Sequence, residues 1–173
     1  MALLERLREV STTDLCGALQ HVANVLAPVF LADKVDAMLC DPSAAVLVSV
    51  GTSDTVMSKR QHELGLDRLS LAHGGRAAFV FENGQPFQDG HVEQDSIELL
   101  GIRHDLGVRS TLMVPLQASR KERGVLLASS AEPEHFSDTQ LQLLQFVAYW
   151  VGLVVHERRQ PMDAGAGWAR ARG

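Results

Sequence analysis

Long apolar runs are missing from this chain of 173 residues. No stretch of about 18 consecutive apolar residues occurs, which excludes a helical membrane span. The opening MALLERLREV mixes acidic and basic residues among its leucines and lacks the apolar core of a secretory signal, so a cytoplasmic location is expected. Cysteine is scarce. Cys16 and Cys40 both sit in apolar settings and form no CxxC, CxxCH or zinc spacing, so they read as two reduced, buried thiols. Basic charge is not in excess: 16 Lys and Arg against 21 Asp and Glu leave a formal charge of −5, with a pI near 5.8, which argues against a nucleic-acid binder. Walker A and GxGxxG strings are absent, and Gly74-Gly75 reads as a hinge rather than a phosphate cradle. No Ser/His/Asp or Cys/His arrangement can be assembled, and the carboxylates are scattered; EQDSIE reads as a polar loop and helix start. Neither a catalytic residue nor a metal-ligand set is assigned, and the chain is not expected to be an enzyme.

What the chain does have is 46% hydrophobic residues, enough for a proper core, at a length suited to one domain with extensions. Residues 1–11 read as a helical extension and residues 12–159 as the domain. Residues 160–173, QPMDAGAGWARARG, lose periodicity and read as a linker or disordered tail. Residues 11–31 predict a helix capped by Ser11 or Thr12, with Asp14 in its first turn and Leu15, Leu19, Val22, Leu26 and Val29 as its apolar stripe. Pro28 should bend or loosen its last turn. VDAMLCD and AAVLVSVG, joined by the tight turn Asp41-Pro42-Ser43, predict an antiparallel hairpin.

The middle is less regular. A short helix over 54–64 with Asp54 as its cap, a helix over 76–82 stopped at Asn83-Gly84, a brief extended piece in QPFQDG and a further helix over 93–105 are expected. Residues 109–117 and 124–131 then predict two central strands with both faces covered, since their apolar character is nearly continuous. After them FSDTQ carries a strong helix start: Ser137 as N-cap, Gln140 completing a capping box, and Phe136 with Leu141 as the hydrophobic staple. This last helix bears two apolar stripes, one through Leu141, Leu144, Ala148, Val151 and Val155, the other through Leu143, Val147, Trp150 and Val154. The second stripe needs another helix to cover it, either residues 11–31 or the same helix in a second copy. A homodimer through the helices of residues 11–31 and 137–158 is therefore expected.

Four stretches together resemble the GAF domain family of small-molecule-binding signalling modules: LGVRSTLMVPL, the strand and helix string RGVLLASSAEPEHFSDTQLQLLQFVAYWVGLVVHERR, GRAAFVFENGQPFQDG, and VDAMLCDPSAAVLVSVG. The resemblance spans roughly residues 12–158 and rests on the order and spacing of these strings. It implies an α/β (α+β, GAF/PAS-like) fold with a central antiparallel sheet, N- and C-terminal helices on one face and an irregular ligand-pocket roof on the other. It further implies a non-catalytic sensory or regulatory domain within a signal-transduction protein such as a histidine kinase or transcription regulator. The family's bilin-binding branch needs a pocket cysteine commonly followed by His, and its free methionine sulfoxide reductases need pocket cysteines in mid-domain. Neither pattern is met, because residues 41–173 contain no cysteine.

A ligand of unknown identity should lie between sheet and roof, touching Phe79, Phe81, His91, Leu100 and His104. Alternation along the strand adds Thr111 and Met113 on the same face, leaving Leu112, Val114 and Leu116 for the helices. Ile97, Leu100 and His104 share one helical face, expected to look into the pocket. A histidine there could hydrogen-bond to backbone, ligate haem iron, or donate to an anion or cyclic nucleotide with help from Arg76, Arg103 or Arg109. Haem is not favoured. A vestigial pocket in a module that serves only dimerisation is the remaining alternative.

Overall fold

The structure, a computed structural model, describes residues 3–8 and 14–170, with side chains through Val155. Ser11 and Thr12, expected as caps, lie outside the described residues. Two helices open the chain, α1 (Leu3–Arg8) and α2 (Leu15–Phe30), followed by the hairpin β1 (Lys34–Asp41) and β2 (Val46–Thr52). The middle holds α3 (Val56–Glu63), β3 (Arg68–Ser70), α4 (Gly75–Asn83) and β4 (Phe87–Asp89). The second hairpin, β5 (Ser110–Gln117) and β6 (Arg123–Ser130), precedes α5 (Asp138–Arg170). The six strands found among the described residues form one antiparallel sheet in the order β3-β2-β1-β6-β5-β4, so the two hairpins meet at the sheet centre through β1 and β6.

The sheet is covered on both faces, as the continuous apolar character of β5 and β6 requires. One face packs on α1, α2 and α5. Val35 and Ala37 of β1, Leu112, Val114 and Leu116 of β5, and Leu126 and Ala128 of β6 meet Leu19, Val22 and Leu26 of α2 and Leu144, Val147 and Val151 of α5 there. Alternation along each strand sends the intervening residues, among them Met38, Met113, Val125 and Leu127, to the opposite face, where α4 and neighbouring loops lie. Leu7 of α1 is fully buried in the helix-side core, so the first helix is docked rather than a free extension.

The capping chemistry follows the sequence at both ends of the domain. The Gln140 amide N–H donates to Ser137 Oγ at 3.3 Å, and Gln140 Oε1 accepts the Ser137 N–H at 2.9 Å, while Phe136 is buried beside them. Asp14 rather than Ser11 or Thr12 caps α2, its carboxylate accepting the Gly17 N–H. Thr55 rather than Asp54 caps α3. In both cases the side chain nearest the first helical turn wins, because only there does its oxygen reach the unpaired amides. Pro28 does not end α2 early. The helix runs to Phe30 and closes through a left-handed Leu31, with the Ala32 N–H on Ala27 O at 2.9 Å.

Three expectations are corrected. Residues 93–105 do not form one helix: a 3₁₀ turn at Val92–Gln94 and a π-helical turn at Gly101–Asp105 flank a loop, because Asp95 and Glu98 spend their carboxylates on the backbone N–H groups of Ile97, Leu99 and Arg76. The second stripe of α5 needs no partner chain: Val147 is fully buried, and Leu143 and Trp150 pack against the same core as α2. The apolar face that α5 leaves open is a third one, Phe146, Tyr149 and Leu153, each more than two-fifths exposed. Finally, α5 continues past residue 160 to Arg170, where a linker or disordered tail is expected.

Candidate functional site

The roof side of the sheet contains an unusual concentration of buried polarity. Lys34 and Asp36 of β1, together with Met38, point to this face, opposite Val35 and Ala37. Glu98 comes down from the roof loop, Gln61 from α3, Thr111 from β5 and Ser129 from β6. All six polar side chains belong to residues less than 5% exposed. Five of them, Gln61 excepted, line a closed cavity of about 10 Å³ with Met38, Leu69, Ile102, Val108, Met113 and Leu127 among its apolar walls. That volume holds about one water molecule.

The polar groups are tied to one another. The Lys34 ammonium donates to Gln61 Oε1 and lies 3.7 Å from Asp36 Oδ2. Asp36 Oδ2 also accepts from Gln61 Nε2 at 2.7 Å and from Ser49 Oγ at 2.8 Å. Its second oxygen, Oδ1, is buried and has no hydrogen-bond partner. Glu98 Oε1 accepts the Leu99 N–H at 2.9 Å and the Arg76 N–H at 3.3 Å, so it caps the start of α4, where the N-cap position is a glycine with no side chain to offer. Gly75 makes this approach possible: a Cβ there would lie 2.4 Å from the Glu98 oxygen, and its φ of +64° suits glycine. The Gly74-Gly75 pair thus serves close packing.

Burial sets the protonation tendencies. It pushes the Lys34 ammonium below the usual lysine range, against the attraction of Asp36 and Glu98. Burial likewise lifts the Glu98 carboxyl, against the Leu99 and Arg76 amides that favour its ionised form. A raised carboxyl has a definite consequence for stability. The contribution of Glu98 is fully present below its unfolded pKa and is lost as pH rises through the folded value. Glu98→Gln, which keeps an oxygen for the two amides, should therefore gain stability relative to the wild type as pH is raised from 5 to about 8. Urea unfolding at the two values measures this; a wild type that gains on E98Q with rising pH would contradict it.

An ion pair latches the roof. Arg76 donates to Asp95 through Nε at 2.7 Å and Nη2 at 2.6 Å, a two-pronged contact that holds the Asp95 carboxyl below the usual range. Its guanidinium also lies over Phe87 at 4.4 Å and Phe79 at 5.2 Å from the ring centroids. The arginine thereby joins α4, β4 and the loop before the π-helical turn.

Of the ligand residues expected from sequence, the structure brings two to the cavity, Thr111 and Met113. Thr111 Oγ1 donates to Ala128 O at 3.1 Å and lies 3.4 Å from Ser129 Oγ. The others are elsewhere. Ile97, Leu100 and His104 face solvent, not the pocket; the loop that replaces the expected helix turns Glu98, Leu99 and Ile102 inward instead. His91 is exposed at the rim, between Glu134 at 3.3 Å and Glu93 at 3.5 Å, and the Glu134 contact raises its pKa. Phe79 is exposed beneath Arg76. Phe81 packs in the roof cluster with Arg123 over its ring, and lines a separate open groove beside α5. Of the arginines considered for an anion, Arg76 is held by Asp95, and Arg109 is half-exposed beside Glu93. Among the described residues no group of three His, Cys, Asp or Glu is placed to hold a metal ion, and no helix is long and apolar enough to cross a membrane. Cys16 is exposed on α2. Cys40 is half-buried on the roof side of β1 without lining the cavity, and burial raises its thiol pKa.

Lys34, Asp36, Gln61 and Glu98 were not singled out from sequence. One signal was available: Lys34 and Asp36 alternate with Val35 and Ala37 on a strand that ends up central, where a charge on either face must be buried.

Known structures share this architecture. The GAF domain of a phosphoenolpyruvate-protein phosphotransferase from Coxiella burnetii superposes with a TM-score of 0.71 at 20% identity, covering 92% of this chain and 96% of that one. A free methionine-R-sulfoxide reductase from Neisseria meningitidis, solved with its substrate, gives 0.73 at 21% identity, covering 92% and 91%. A methyl-accepting chemotaxis protein segment gives 0.69 at 16% identity, covering 94% and 99%. At such identities the likeness establishes the fold. No curated protein matches in sequence. The family model for the GAF domain matches residues 15–157, from the first turn of α2 well into α5, and with the six-stranded sheet and its roof it shows that this chain belongs to the GAF domain family.

Proposed function

We propose that the domain is a non-catalytic sensor: it binds a small molecule between sheet and roof and reports occupancy through α2 and α5. The observation that carries this reading is the small, largely enclosed cavity with five polar side chains among its apolar walls and an unpartnered carboxylate oxygen on one of them, Asp36. Burying a carboxylate oxygen unpaired is costly, which supports a use for it where it lines a cavity. The contact set narrows to Lys34, Asp36, Glu98, Thr111 and Met113. An enzymatic reading, which reductases of this fold invite, has no thiol in the cavity to support it here. Native mass spectrometry and an absorbance spectrum of freshly purified protein test the proposal. A mass increment lost on denaturation is the expected result; no increment, together with no melting-temperature rise against a metabolite panel, would refute it.

Strand β1 supplies the coupling route. Lys34 and Asp36 face the cavity, while Val35 and Ala37, which alternate with them, pack in the core with α2. The Gln20 side chain of α2 accepts the Thr52 N–H at 3.1 Å and donates to Thr52 O, and Asn24 accepts the Asp54 N–H at 2.8 Å. A ligand shifts the packing by its differential affinity for two arrangements, typically about 1–3 kcal/mol. The readout is a homodimer formed through the terminal helices, within a cytoplasmic signal-transduction protein such as a histidine kinase or transcription regulator. The exposed Phe146, Tyr149 and Leu153 on α5 support such an interface. Leu153→Glu should halve the sedimenting mass while changing stability by less than about 0.5 kcal/mol, since the side chain is not in the core. A wild type that stays monomeric at high concentration would remove the dimer. Charged residues at Trp150 or Val151 would instead damage the fold, as both pack against the core.

A further inference from the structure

The cavity holds more acidic groups than basic ones. Asp36 and Glu98 supply two carboxylates and Lys34 one ammonium. Lys34 is already engaged by Gln61 Oε1 and Asp36 Oδ2. Asp36 Oδ2 is saturated by Gln61 and Ser49, whereas Oδ1 has no donor although Asp36 is 99% buried. Glu98 uses a single oxygen, Oε1, for its two backbone amides. The vacant position in the cavity wall is thus a carboxylate acceptor, Asp36 Oδ1, and what a carboxylate acceptor binds most strongly is a cationic N–H donor. An anion would meet two carboxylates and a lysine that already has partners. The remaining walls, Met38, Met113, Leu127 and Val108, are apolar, and the two methionines are adaptable enough to accept a short hydrocarbon body.

We propose, resting on the reading of this cavity as the ligand site, that the ligand is a small organic amine: its ammonium donates to Asp36 Oδ1 and lies beside Glu98, and its apolar part rests on Met38, Met113 and Leu127. The cavity holds only about one water when closed, so entry requires the roof to lift. The bond to be broken is the Arg76–Asp95 latch, which ties α4 to the loop that carries Glu98. The same charge count disfavours cyclic nucleotides and free phosphate as ligands.

The test titrates the whole chain, methyl-labelled at Met and Leu, with four probes of matched size: butylammonium, butanol, butyrate and 2-aminobutyrate. Butylammonium should shift the Met113 and Leu127 methyls saturably and bind at least about tenfold tighter than butyrate. Asp36→Asn should weaken butylammonium by about tenfold to a hundredfold, the loss expected for a charge-assisted hydrogen bond. If D36N does not fold, Glu98→Gln decides: it must weaken butylammonium and leave butanol unchanged. Butyrate or butanol binding at these methyls as tightly as the amine overturns the ligand class and leaves the cavity as a binding site. The zwitterion binding more tightly than butylammonium likewise overturns the monocation. Shifts from none of the four overturn both the class and the site.

Discussion

Lys34→Met should lower the unfolding free energy by about 3–5 kcal/mol, the loss typical when one partner of a buried ion pair is removed. The methionine fills a similar volume, so little of this comes from packing. The cost arises because Asp36 and Glu98 remain in the low-dielectric interior without the cation that compensates them, and Asp36 Oδ1 has no hydrogen bond to begin with. The size of the effect has an internal control. Lys34→Met combined with Asp36→Asn removes both members of the pair and should be clearly less destabilised than Lys34→Met alone, since deleting a buried pair altogether is often close to neutral. Urea unfolding of the four members of this cycle measures the coupling. A K34M variant within about 0.5 kcal/mol of wild type would show that the lysine is not a structural counter-charge.

Gly124→Ala should be the most damaging alanine substitution among the described glycines. Gly124 lies on β6 between Leu39 of β1 and Leu116 of β5, at the centre of the sheet. A Cβ built there would lie 1.7 Å from the Met38 carbonyl oxygen and 2.9 Å from the Leu39 Cα. The obstruction is backbone, so no rotamer change relieves it. The β1–β6 pairing must shift, and it carries Lys34, Asp36 and Met38 with it. We expect a loss of at least about 3 kcal/mol, at the upper end of overpacking costs. Thermal unfolding checks the magnitude. Unchanged stability would mean that β1 yields locally at its existing irregularity, the register shift between Ala37 and Met38.

The two substitutions differ in what they report. The glycine measures how closely the central hairpins are joined. The lysine measures how much stability is held in a polar cluster that faces the proposed ligand. A protein that keeps an unpaired carboxylate oxygen at its centre gives up stability there, and a ligand of the proposed kind would recover it.

The layers of the fold were legible in the sequence because they rest on local chemistry and period. Ser137 and Gln140 cap α5 as their spacing implies, and Asn83-Gly84 ends α4 with Gly84 in the left-handed conformation. The near-continuous apolar strings of β5 and β6 implied coverage on both faces, and period-two alternation sorted Leu112, Val114 and Leu116 from Thr111 and Met113. The composition and order of these strings also sufficed for the family. What the sequence alone could not decide was the inward face of the roof. Residues 93–105 have the spacing of a helix, yet Asp95 and Glu98 bind backbone amides and Asp95 holds Arg76 from another element, so the chain turns Glu98 inward and leaves Leu100 and His104 in water. The polar cluster itself joins β1, α3 and the roof loop across up to 64 residues of chain, from Lys34 to Glu98. Local propensity and periodicity act over a few residues along one element, whereas the burial that makes Lys34, Asp36 and Glu98 a unit exists only once the separate elements have closed around them.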